Sequence, residues 1–143
     1  MFKFKLQQVL DYRAQLEDQA KMALGKALAE LASQQKIVDD LQVEVMATLK
    51  RGYGELLTAD ERWMLDNYLR RLKADLEIAN RRLNELDLEV HRCRSDLLRK
   101  SQSRQLLDKL RDKQRDKYDH EEALKEQYAL DEMAAMRRKV HAI

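Results

Sequence analysis

Residues 65–97 read LDNYLRRLKADLEIANRRLNELDLEVHRCRSDL. Within them Leu65, Leu69, Leu72, Leu76, Ala79, Leu83, Leu86, Val90, Cys93 and Leu97 recur at alternating steps of four and three residues. A 3.5-residue apolar period held this long is a coiled-coil seam, because it keeps one narrow stripe turned towards a neighbouring helix. Such a stripe is not covered by its own helix, so a second helix has to be found elsewhere in the chain.

Composition agrees with long helices. Among 143 residues there is no proline and there are only three glycines, which leaves few places for the backbone to turn. Charged residues make up 38% and aromatics 6%, the mixture of coiled coils and long helices. At 44%, hydrophobic residues are too abundant for a disordered polyelectrolyte. A formal charge of +2 announces neither nucleic acid nor an anionic membrane. The single cysteine, Cys93, rules out an internal disulfide and fits a reducing compartment. MFKFKLQQVL at the N-terminus lacks the apolar core of a secretory signal, and no apolar run approaches the roughly 20 residues of a membrane span. These features predict a cytoplasmic, all-α protein with one domain over residues 1–143.

The partner helix lies upstream. Gly52 and Gly54 frame Tyr53 in LKRGYGELLTADERW, and Lys50 and Arg51 precede them as in a last helical turn followed by a left-handed glycine cap. Thr58-Ala59-Asp60-Glu61 is a capping box that opens a new helix. Gly25, among strong helix formers, costs about 1 kcal/mol without breaking its helix. The spacing predicts helix 1 over about 2–51, a turn over 52–58 and helix 2 over about 59–140. Helix 1 carries a looser seam of Leu6, Leu10, Ala20, Leu24, Ala27, Leu31, Val38, Leu41 and Val45, interrupted by Arg13, Glu17 and Gln34. An antiparallel hairpin pairs positions that sum to roughly 110. This sets Leu24 opposite Leu86, Ala27 opposite Leu83, Val38 opposite Leu72 and Val45 opposite Leu65.

The same pairing exhausts helix 1 near residue 108, so the longer helix 2 overhangs at its C-terminal end by some 45 Å at about 1.5 Å per residue. Lys100 and Arg104 sit on seam positions near this open end, and the stretch 111–122, RDKQRDKYDHEE, has no apolar face to pack. Its quasi-repeat DKLR-DKQR-DKYD places aspartates three residues before Arg111 and Arg115, within reach of weak i,i+3 pairs. From Arg99 to Lys117 there are eight basic and three acidic residues, a balance of +5; from Asp119 to Glu132, six acidic and one basic give −5. Acids interrupting every turn argue against a phosphate track and for a protein partner with its own alternating charges. No phosphate loop or metal-ligand spacing occurs: Gly25-Lys26 lacks the rest of the loop, and His91, His120 and His141 have no ligand partner at i+4. Cys93 fills a seam position as a small core residue, so no enzymatic role, cofactor or metal is expected. Tyr53, Trp63 and Tyr68 cluster at the hairpin end, where they either close the turn by local packing or anchor a partner.

Order and spacing of several short motifs resemble one family. Phe4-x-Leu6-x-x-Val9-Leu10-x-x-Arg13 is similar to the N-terminal signature of FliJ proteins, small coiled-coil components of the bacterial flagellar type III export apparatus. Leu107-x-x-Leu110-x-x-Lys113, Tyr118, Glu126-Gln127 and Asp131-Glu132-x-Ala134 resemble that family's C-terminal pattern, with Asp108 where a glutamate is more usual. The resemblance implies a non-enzymatic stalk similar to the central γ subunit of rotary ATPases. It also implies binding to the hexameric export ATPase and the cytoplasmic domain of the export gate, and escort of export chaperones. The implied form is a monomer, peripheral at the inner face of the membrane at the flagellar base, with no nucleic acid and no membrane insertion. The stalk proteins of virulence injectisomes are related. On this reading Arg111, Lys113, Arg115, Lys117, Tyr118, Glu126, Gln127, Asp131 and Glu132 are expected to contact the ATPase, and Tyr53, Trp63 and Tyr68 the gate. A structural coiled coil self-associating through the overhang, or an RNA-binding arm, are the readings from other classes. Concentration-dependent oligomers would mark the first and steep salt dependence the second.

Overall fold

In the computed structural model the chain forms two α-helices, α1 (Gln7–Gly54) and α2 (Ala59–Ala142), packed as an antiparallel hairpin with the second helix the longer. The structure describes residues 1–54 and 56–142; Glu55, within the expected turn, and Ile143 lie outside the described residues. Thr58 caps α2 as its sequence requires: its Oγ1 accepts the Glu61 backbone N–H at 3.2 Å, and Asp60 and Glu61 fill the first turn. The chain divides into two compact units, Asp18–Arg99 and Met1–Glu17 with Lys100–Ile143.

In the unit Asp18–Arg99, none of the ten seam residues of α2 is exposed; Leu72, Ala79, Leu86, Val90 and Cys93 are buried. Ala20, Ala27, Val38 and Thr48 of α1 are buried with them. Thr48, at 1% exposure, returns its hydroxyl to the Glu44 carbonyl at 2.8 Å, which lets a polar side chain occupy a core position. Gln34, read from the sequence as a break in the seam, donates to the Ala79 carbonyl across the pair at 3.0 Å.

The structure corrects two local expectations. Helix α1 does not stop at a left-handed Gly52: it runs on to Gly54, and no described glycine has positive φ. A Cβ at Gly52 would lie 3.4 Å from Leu65 Cδ2, an ordinary van der Waals contact, so Gly52 is an interior position of α1 facing α2 and does not end the helix. The later end moves the pairing sum to roughly 113. Gln34 with Ala79 and Tyr68 with Glu44 obey it. Ala27 packs with Val90 and Cys93, flanked by Leu24 and Leu31, one turn or more beyond the Leu83 expected for it.

In the unit made from the two chain ends, α1 begins at Gln7, not near residue 2. Residues 1–4 are non-helical and lie along α2; Phe4 and Leu10 form a small core with Leu107, against which Phe2 packs. An extended chain covers about 3.3 Å per residue against 1.5 Å in a helix, so this segment reaches further along α2 than helical pairing allows. The Phe2 ring lies 5.7 Å from Tyr118, tilted by 48°, and the Met1 ammonium donates to the Tyr118 hydroxyl at 2.7 Å. Coverage of α2 therefore ends at Tyr118, about ten residues later than expected. The free part, 119–142, is some 36 Å long at about 1.5 Å per residue.

Candidate partner-binding surfaces

Helix α2 keeps its seam register past residue 97, although the residue types turn polar. Continuing the steps of four and three reaches Lys100, Arg104, Leu107, Arg111, Gln114 and Tyr118, and all of these except the exposed Gln114 are withdrawn from solvent. Glu17, only 5% exposed, accepts from Arg104 Nε, and Arg104 Nη1 donates to Asp108. Burial of a carboxylate needs such a partner, because desolvation otherwise drives it towards its neutral form. The two carboxylates beside Arg104, Glu17 foremost, push its pKa further above the usual guanidinium range. Arg13 Nη1 donates to the Ser103 carbonyl at 2.7 Å. The three polar interruptions of helix 1 are thus hydrogen-bonded across the pair, and Arg104 is part of the seam.

Of the nine residues expected to face an ATPase, seven are exposed: Lys113, Arg115, Lys117, Glu126, Gln127, Asp131 and Glu132. Two differ. Tyr118 is half-buried beneath Phe2, and Arg111 is ion-paired to Asp108 at 3.4 Å with its Nε buried and without a hydrogen-bond partner. The expectation that 111–122 has nothing to pack against is corrected for these two positions. Along 119–141 every side chain except half-buried Glu122 is exposed, and Glu122 pairs with Lys125 at 3.7 Å. The result is an acidic helical surface following a basic one, with both signs in water.

In the other unit, the aromatic residues of the hairpin end do not close the turn. Tyr53 is 88% and Trp63 69% exposed, while Tyr68 donates its hydroxyl to Glu44 Oε1 at 3.0 Å. That bond to a carboxylate, before desolvation and the Glu44 charge, raises the Tyr68 pKa above its usual value. Val43, Met46, Leu56 and Met64 are also exposed. Sequence reasoning missed them because each lies off the seam, where single apolar residues carry no periodic signal. Val43, Met46 and Ala47 line one shallow depression with Asp39, Gln42 and Lys50. Such an apolar surface binds by burial.

Cys93 lies in the seam, and burial, followed by the Glu89 charge, pushes its thiol up. A thiol held protonated in a packed seam is a poor nucleophile. No described helix is long and apolar enough to cross a membrane.

Comparison with known families gives one match: the family described as Flagellar FliJ protein covers residues 2–141. No curated protein and no solved structure matches the chain.

Proposed function

Because the chain belongs to the FliJ family and is therefore a component of the flagellar export apparatus, we propose that it is the non-enzymatic stalk that binds the hexameric export ATPase and promotes its assembly or activity. The observation that carries this reading is the free part of α2. A helix that leaves its partner at Tyr118 and continues to Ala142 with its charges in water has no intramolecular role to explain its length. A lone helix of this kind gains its stability from i,i+3 and i,i+4 pairs and its function from what surrounds it. Alternating bands of +5 and −5 suit a ring whose inner loops present several charged residues of both signs. The contacts assigned to the ATPase are Lys113, Arg115, Lys117, Glu126, Gln127, Asp131 and Glu132, together with the half-buried Arg111 and Tyr118.

Affinity capture from flagellated cells tests the reading. The whole chain is expected to recover the export ATPase, and a chain ending at Tyr118 to lose it while remaining a helical hairpin. Equal recovery by both forms would remove the free helix from the interface.

A second surface serves the export gate on this reading, at the membrane's cytoplasmic face, with export chaperones escorted by the same protein. Its support is the outward display of Tyr53 and Trp63 beside Met46, Leu56 and Met64. Truncating Tyr53, Trp63 and Tyr68 together to alanine is expected to weaken binding to the gate's cytoplasmic domain by at least about ten-fold, since exposed aromatic anchors carry most of an interface's energy. Undiminished binding would assign the gate to another surface.

A further inference from the structure

Beyond Tyr118 the free helix is not uniformly polar. Ala129, Met133, Met136 and Val140 recur at steps of four, three and four, the spacing of a seam. Met133, Met136 and Val140 are 55%, 68% and 72% exposed. Eleven residues of a straight helix return to within about 20° of their starting direction. Ala129 therefore faces the side on which Phe2 covers Tyr118, and the apolar face of α2 continues past the end of its cover.

We infer that this stripe pairs with the same stripe of a second copy of the chain, antiparallel about a twofold axis near residues 134 and 135. In that register Met133 layers on Met136 of the other copy and Ala129 on Val140, so all four layers are apolar. The flanking positions that meet across an antiparallel pair carry Glu132 and Lys139, giving two contacts of opposite charge by symmetry. Leu130 lies beside the aliphatic stem of Arg137. A parallel pairing stacks Glu122 on Glu122 and Glu126 on Glu126 within the seam, like charges in direct apposition. The antiparallel pairing carries those acids past the other copy's stripe. Charge thus selects both the partner and its direction.

The overlap is about three turns per helix, below the roughly 1,200 Å² of standard complexes, so the association is weak, with a Kd on the order of 100 µM. The monomer expected from the family resemblance is then the dilute form. Pairing covers Glu132 and its neighbours; on the reading of the free helix as the ATPase-binding stalk, the dimer and the ATPase-bound form exclude one another. The pairing itself does not depend on that reading and is tested without the ATPase.

Sedimentation velocity on the whole chain, from about 5 µM to 1 mM, brackets that constant. The wild type is expected to pass from monomer to dimer across this range. Glu132→Lys and Lys139→Glu should each raise Kd about ten-fold, and the double swap should restore it to within about two-fold. In a Cys93→Ala background, Ala129→Cys mixed with Val140→Cys should oxidise to a linked dimer. Either variant alone should not, because in the twofold register its thiols are about 16 Å apart along the axis. A monomer at every concentration, a swap that fails to restore pairing, or linkage of Ala129→Cys to itself would each overturn the inference.

Discussion

Reversing Lys113, Arg115 and Lys117 to glutamate together is expected to abolish stimulation of the export ATPase, lowering it at least about ten-fold, while helicity by circular dichroism stays within error of the wild type. All three side chains are exposed, and exposed substitutions away from packed features usually change stability by less than about 0.5 kcal/mol. Their effect therefore falls on the partner, where a reversed charge meets repulsion as well as a lost attraction. Arg111 is half-buried and paired with Asp108, so its reversal would confound folding with binding. Raising salt should weaken the wild-type effect in the same direction, because exposed charges are screened over about 8 Å at physiological ionic strength. Stimulation that survives the triple reversal would mean that this basic band does not touch the ATPase.

The second large effect concerns stability. Arg104→Met is expected to destabilise the pairing of the two chain ends by about 2–3 kcal/mol. That is less than the roughly 3–5 kcal/mol of a fully buried pair, since the Arg104 side chain keeps 29% of its surface in water. The substitution removes the guanidinium shared by the buried Glu17 carboxylate and Asp108. Adding Glu17→Leu should recover most of the loss, because an apolar pair of similar volume packs the seam without desolvating a charge. Urea unfolding of the two single variants and the double variant measures the coupling. Single variants that lose less than about 0.5 kcal/mol would show that the pair is a surface contact in energetic terms.

These two expectations divide along what could be read from the residues. The ten-residue seam from Leu65 to Leu97, the capping box at Thr58 and the overhang were legible because each rests on local chemistry: period, hydrogen-bonding side chain, helix length. The charged residues of the free helix were legible for the same reason. Gly52 was not, because a glycine inside a helix and one ending it look alike until the backbone that follows is placed. Nor were Arg13, Glu17, Gln34 and Arg104. Each looks like a defect in its own seam, and its partner lies 45 to 90 residues away in sequence.

The sequence by itself determined that this chain is two unequal helices joined by one turn, with charge sorted into bands along the longer one. Period and capping are short-range properties, and a chain with no proline has few other ways to satisfy them. Only the tertiary structure decided where cover stops. The non-helical N-terminal segment reaches further than a helix would, buries Phe4, seats Phe2 on Tyr118 and moves the start of the free surface to residue 119. That boundary depends on the rise per residue of a segment whose conformation is fixed by its contact with α2, and such a contact is settled only when both ends of the chain are in place.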